Sequence, residues 1–243
     1  MNEYQVKVIQ PGYATWIAPT QQRADGTITL IKGPTNVIVD TGGPWDREAI
    51  VKALRRERIR PDAINYVICT HGHSDHTGNN NLFPNATLIL SYDVCTGDLY
   101  TFHDFASGQP YVIDDQIEVI PTPGHTAQDI SVIVKTRQGV IAIVGDLFEC
   151  AEDLENESLW RSFSEMPEKQ KTSRQRVLDL ADFIVPGHGE MFRVAKQFAV
   201  MAFATPGSTP PHKSAVRDRI IWYVALPLGI TLIGGLLVWL LTS

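Results

Sequence analysis

The residues Thr70-His71-Gly72-His73-Ser74-Asp75-His76 follow without a break on Tyr66–Cys69, an apolar run that reads as a buried strand. Three histidines and an aspartate fall within six consecutive positions. In a continued strand His71 and His73 would share one face and His76 would point to the other, whereas a tight turn can bring all three to one side. The segment is therefore a strand that stops and a turn that aims its side chains at a common centre. Neutral imidazole and carboxylate are the donors that divalent first-row metals prefer. A polar surface turn that is rich in histidine by accident explains this density poorly.

Two more histidines stand in equivalent punctuation. Ile117–Ile120 leads through Pro-Thr-Pro-Gly to His125, and Phe183–Val185 leads through Pro-Gly to His188. Val140–Val144 ends in Gly145-Asp146. Each places a ligand-competent side chain just after an apolar strand, where a Gly-containing turn lets it reach inward. Alone, each histidine reads more readily as a capped loop residue. Together with the dense motif they read as ligands. His103 and His212 lack this context and receive no role.

Further β-branched runs at Val6–Ile9, Thr27–Ile31, Asn36–Asp40, Ala86–Leu90 and Ile130–Val134 read as strands. Helical patterns lie between them, at Asp46–Arg58 with Asp46 as N-cap and at Gln170–Ala181. Strands with helices at intervals predict a layered α/β or α+β domain. With 44% apolar and 20% charged residues, a 243-residue chain buries a real core, which excludes general disorder. A net charge of −6 argues against holding nucleic acid by bulk electrostatics, though not against a local basic groove. Three cysteines, Cys69, Cys95 and Cys150, share no metal-site spacing and predict a reducing compartment. Met1 to Thr20 carries no secretory pattern.

No Asp, Glu, Lys or Arg follows Arg219. Residues 220–241, IIWYVALPLGITLIGGLLVWLL, would span roughly 33 Å as a helix, enough to cross a hydrocarbon core of about 30 Å. The expected organisation is a globular domain over residues 1–203, a Pro/Ser-rich linker with a basic flank over 204–219, and a transmembrane tail anchor over 220–241. Lys213, Arg217 and Arg219 flank the run on one side only. By the positive-inside rule they keep the larger domain in the cytosol, with the endoplasmic reticulum favoured as the membrane.

Asp40 after a strand, His71-x-His73-x-Asp75-His76, His125, Asp146 and His188 occur in an order that resembles the metallo-β-lactamase fold superfamily. The resemblance covers nearly all of residues 1–200. It implies an αββα sandwich with a binuclear metal site at one edge, where the two sheets meet. His71, His73 and His125 would bind one ion, Asp75, His76 and His188 the second, and Asp146 would bridge them. Asp75 would also orient or accept a proton, and Asp40 would hold a ligand histidine or the motif turn. Zinc is the first expectation, and iron or manganese also suits a mixed His/Asp set. The two ions would lower the pKa of a shared water toward neutrality for attack on a carbonyl or phosphorus centre.

A finer likeness lies in ValAspThrGlyGlyProTrp at 39–45, LeuPhePro at 82–84, Phe148-Glu149, ProGlyHisGly at 186–189 and PheArgVal at 192–194. These resemble an animal branch grouped with the glyoxalase II family and described as endoribonucleases acting on histone pre-mRNA 3′ ends. The apolar C-terminus departs from that branch, which is cytosolic or nuclear. The likeness implies RNA phosphodiester cleavage. Lys171, Arg174 and Arg176, at the start of the second predicted helix, are candidate phosphate contacts against the alternative of a solvated basic face. Thioester or lactone hydrolysis in the manner of glyoxalase II is the alternative. It is weakened because about 30 residues after His188 leave no room for the helical extension that holds glutathione in that family. A non-catalytic membrane-tethered scaffold is a third class, and a complete ligand set speaks against it. The expected partners are RNA or a small ester or thioester, the membrane through residues 220–241, and a second copy of the chain in a homodimer. Five aromatics between Ser91 and Gln116 read as a stacking surface, an acyl pocket or a small core of their own.

Overall fold

The computed structural model describes residues 3–195. The linker and the expected span at 220–241 lie outside the described residues. Among the described residues, no helix is long and apolar enough to cross a membrane.

Two mixed sheets form the body. The first has seven strands in the order Gln5–Gln10, Ile28–Lys32, Val37–Val39, Tyr66–Cys69, Thr87–Leu90, Asp93–Thr96 and Leu99–Tyr100. Its middle pairs, Val37–Val39 with Tyr66–Cys69 and Tyr66–Cys69 with Thr87–Leu90, are parallel. The second has six, in the order Tyr111–Val112, Ile117–Pro121, Ile130–Thr136, Gly139–Gly145, Phe183–Pro186 and Phe192–Arg193. Only Gly139–Gly145 and Phe183–Pro186 run parallel there.

Strand alternation decides which residues fill which layer. Val37 and Val39 face one core while Ile38 between them faces another, and Ile141 and Ile143 alternate with Ala142 and Val144 in the same way. The inner set, with Ile31, Ile68, Ile89, Val119, Val132 and Val185, packs sheet on sheet. On the outer face of the first sheet, Ile50 and Leu54 of helix α1 (Arg47–Arg56) pack against Ile38 and Val67. After α2 (Ser158–Arg161), helix α3 (Pro167–Leu180) packs Val177 on the second sheet against Val144 and Ile184. The layers therefore run helix, sheet, sheet, helix, as the resemblance implied.

Two local expectations are corrected. Asp46 stands at the start of α1, but its carboxylate accepts from the Gly43 N–H and the Gln10 amide, with no side-chain bond to the helix. The second helix begins three residues earlier than expected, at Pro167, whose fixed φ suits a first turn. A hairpin of Tyr13–Ala18 and Gln21–Asp25 was not foreseen; it is mostly exposed and has no apolar alternation to betray it. The aromatic segment after Leu90 packs on itself. Tyr92 stacks on buried Phe105 with centroids 5.3 Å apart, and the His103 ring meets Phe105 and Tyr111 edge-on.

Candidate metal centre

The motif turn is tied to both sheets. The Gly26 N–H donates to the Asp75 carbonyl and the Thr41 N–H to the His76 carbonyl, while the Ile130 N–H donates to the Thr70 carbonyl. Where the sheets meet, the turns after Tyr66–Cys69, Ile117–Pro121, Gly139–Gly145 and Phe183–Pro186 converge. Asp146 needs close backbone approach on both sides. Gly145 has φ +54°, and a Cβ there would stand 2.2 Å from the Thr70 hydroxyl. A Cβ on Gly187 would stand 1.9 Å from Asp146 Oδ1. Glycine is required at each.

Seven expected donors come together. His73 Nδ1 lies 2.9 Å from His71 Nε2 and 3.1 Å from His125 Nε2. Asp146 Oδ2 is 3.6 Å from His71 Nε2 and 3.4 Å from His125 Nε2. On its other side Asp146 is 3.2 Å from His76 Nε2 through Oδ1 and 3.4 Å from His188 Nε2 through Oδ2. Asp75 Oδ2 is 3.9 Å from the Nε2 of both His76 and His188. Donors about 2.0–2.2 Å from a tetrahedral cation stand roughly 3.3–3.6 Å apart, and the separations found here, from 2.9 to 3.9 Å, bracket that spacing.

The nitrogens that face away from this centre are held by the protein. His76 Nδ1 donates to Asp40 at 2.8 Å, and His188 Nδ1 donates to the Asp25 carbonyl at 3.0 Å. Asp40 also accepts from the Thr70 N–H and hydroxyl, whose oxygen in turn lies 3.1 Å from His71 Nδ1. This polarity leaves the Nε2 lone pairs of His71, His76 and His188 aimed inward. Asp40 has φ +57°, a backbone state that aspartate tolerates better than most residues. The holding role expected for Asp40 concerns these same partners, His76 and the motif turn at Thr70.

Electrostatics follow from burying one carboxylate among imidazoles. Burial opposes charge on Asp146, yet His188, His76 and His71 outweigh it and hold the carboxyl well below its usual range. Burial also opposes the charged forms of His76 and His188. Asp146 overrides it in both, assisted by Asp40 at His76, so that His76 lies well above its usual value and His188 is pushed up to about 9. His71, buried and next to His76, is pushed well down. Buried His76 Nε2 and Asp146 Oδ1 have no hydrogen-bond partner among the described residues. Orphaned donors at the centre of such a cluster fit a cation. The set His71, His73, His125 and Asp146 and the set Asp75, His76 and His188 each bring their donor atoms within 4.8 Å.

Glu149 joins the site although no role was expected for it. It lines the same cavity, about 240 Å³, with Ala14, Gln22, Ala24, His73, Asp75 and Phe163. Burial and the charge of Asp146 push its carboxyl up to about 9. Phe163 stacks on Trp16 of the hairpin at 6.2 Å.

The proposed phosphate contacts are not brought to this site. Arg174 is buried, donates to both Asp153 carboxylate oxygens and the Leu147 carbonyl, and lies 3.8 Å over the Phe148 ring. Its guanidinium is consumed in the interior. Lys171 pairs with Glu157 at 3.3 Å. Lys171 and Arg176 instead line a groove of about 710 Å³ beside α3, with Glu118 and Asp179 in its walls and none of the metal-site residues.

The metallo-beta-lactamase superfamily profile matches residues 23–94. Metallo-beta-lactamase domain-containing protein 1 of Xenopus laevis is 45% identical over 198 residues, covering 80% of this chain and 84% of that protein. The chain belongs to the metallo-β-lactamase superfamily. It is a metallo-hydrolase by that membership and by its donor cluster. Hydroxyacylglutathione hydrolase of Nitrosomonas europaea, 27% identical over 187 residues, covers 75% of this chain and 60% of that protein. In fold, a metallo-beta-lactamase structure from Thermotoga maritima aligns with a TM-score of 0.59 at 19% identity, over 79% of this chain and 99% of that one.

Proposed function

We propose that this superfamily member works with two divalent cations, zinc first among them, and cleaves RNA as an endoribonuclease. The observation that carries the two-ion reading is the position of Asp146, whose carboxylate stands within 3.6 Å of ring nitrogens from both donor sets. Divalent cations held there would supply Lewis acidity, bringing a water's pKa toward neutrality and taking up charge that develops on the substrate. His71, His73 and His125 would hold one cation and Asp75, His76 and His188 the other. Asp40 keeps His76 in the tautomer that leaves Nε2 free. Asp75, only partly buried and 3.9 Å from Nε2 of both His76 and His188, would orient a water or accept its proton. The RNA reading rests on the likeness to the endoribonuclease branch, with support from the exposed Trp16–Phe163 stack at the mouth, a sequence-tolerant platform for an unpaired base. We further propose that residues 220–241 hold the domain on the cytosolic side of a membrane.

A second reading, thioester or lactone hydrolysis, has its own observation. None of the ten residues lining the cavity is lysine or arginine, which suits a substrate with little negative charge. The relative named hydroxyacylglutathione hydrolase points the same way. Full-length protein in detergent, zinc-loaded, should cut single-stranded RNA and lose that activity on chelation, with Trp16→Ala raising KM several-fold. Turnover of thioesters with intact RNA would transfer the assignment to the second reading.

A further inference from the structure

We propose that Glu149 is a metal ligand, a carboxylate beyond the seven donors of the family pattern, directed at the second cation together with Asp75, His76 and His188. The inference rests on the two-cation reading above. Glu149 is only 9% exposed, and its Oε1 is buried without a hydrogen-bond partner. A carboxyl group placed in an interior is protonated, paired, hydrogen-bonded or bound to a cation; the buried Oε1 has no hydrogen-bond partner among the described residues, and no lysine or arginine lines the cavity that Glu149 shares with the site. Its donor atoms lie with those of Asp146 and His188 inside 4.8 Å. Glu149 Oε2 is 3.8 Å from Nε2 of His188, the nitrogen that faces the second donor set while Nδ1 is spent on the Asp25 carbonyl. The backbone is fixed for the purpose. The Glu149 N–H donates to Asp153, its carbonyl accepts from the His188 N–H, and Asp153 is itself clamped by Arg174.

The competing role is positioning. Glu149 Oε1 is 3.8 Å from His125 Nδ1, also buried and unpartnered, so the carboxylate could serve only to orient His125 at the first cation. The two roles act on different ions, and binding measurements separate them. Zinc affinity of the full-length protein in detergent is measured against a chromophoric chelator in a His73→Ala background, which disables the three-histidine set and leaves the second. Adding Glu149→Gln should weaken the remaining ion at least tenfold, since the loss of even an outer-shell partner of a metal ligand costs about 10–100-fold. Glu149→Asp, which keeps a carboxylate one methylene further back, should fall between the two. Thermal melts of the metal-free variants control for folding, and the Asp variant carries the test if the Gln variant does not fold. An affinity unchanged within twofold overturns the proposal. So does a tenfold loss that appears only in a His188→Ala background, where the three-histidine set remains; that result makes Glu149 a positioning residue for His125. Wild-type protein that binds no zinc removes the two-cation reading itself, before Glu149 is at issue.

Discussion

Single side chains at this site matter through what holds them as much as through what they offer. Asp129 illustrates this. Its carboxylate accepts from the N–H groups of Gly124 and Thr126, the residues on either side of His125, and from the Thr126 hydroxyl. Burial pushes it up to about 7, against those bonds, which favour the charged form. An acid whose folded pKa exceeds its unfolded value binds more protons when folded. Its contribution is therefore greatest below about pH 4 and is lost as pH rises through about 7. Relative to Asp129→Asn, metal-free wild-type protein should lose stability between pH 4 and 7 and level off above that. Parallel melts of the two proteins across that range give the check; a constant difference would mean that Asp129 does not titrate there. The seven motif donors were legible because each stands right after an apolar strand or in one dense turn. Glu149 appeared only within the Phe148-Glu149 pair of the finer likeness and received no role, because a lone glutamate after Asp-Leu-Phe looks like any solvated loop acid. Only its spacing of three from Asp146, on a turn that folds back toward His188, could have raised it.

Among the elements, α3 is the one whose role was misread. Lys169, Lys171, Arg174 and Arg176 look like a basic cluster in sequence, yet helical geometry separates them. Gln170, Ser173, Arg174 and Val177 form the buried face, while Lys169, Lys171 and Arg176 point outward. That face braces the segment carrying Asp146: the Gln170 amide donates to the carbonyls of Asp146 and Leu147, and Arg174 donates to Leu147. A period-3.6 count would have placed Arg174 beside Val177, although a buried arginine is rare enough to be passed over. Arg174→Ala strands Asp153 as a buried, unpaired carboxylate and removes a cation stacked on Phe148 and Trp160. It should destabilise the fold by about 3–5 kcal/mol, read by denaturant titration, and leave the salt dependence of RNA binding unchanged. A flatter salt dependence with unaltered stability would restore the phosphate-contact reading. The buried strands were read from sequence to within a residue or two, because both their faces are apolar. The exposed Tyr13–Ala18 and Gln21–Asp25 hairpin was missed for the opposite reason, and with it the Ala14, Gln22 and Ala24 wall of the cavity and the Trp16 ring stacked on Phe163.

At the scale of the whole domain, two sheets closed face to face leave one edge at which four strand ends meet, and five of the seven histidines stand there. The layered architecture follows from the alternation of apolar residues. The family resemblance implied the sandwich but not the pairing of particular strands, such as the parallel join of Gly139–Gly145 to Phe183–Pro186. Residues 220–241 carry a separate expectation. Full-length protein should stay with membranes through carbonate extraction, whereas a chain ended at Thr205 should not; release of the full-length protein would remove the anchor. Two cations bridged by one aspartate are the premise on which both substrate readings stand. Elemental analysis of the zinc-loaded, desalted full-length protein tests that premise most directly. The account predicts about two ions per chain in the wild type and no more than one in Asp146→Ala. A wild type that retains less than one ion, or an Asp146→Ala variant that retains two, would contradict it.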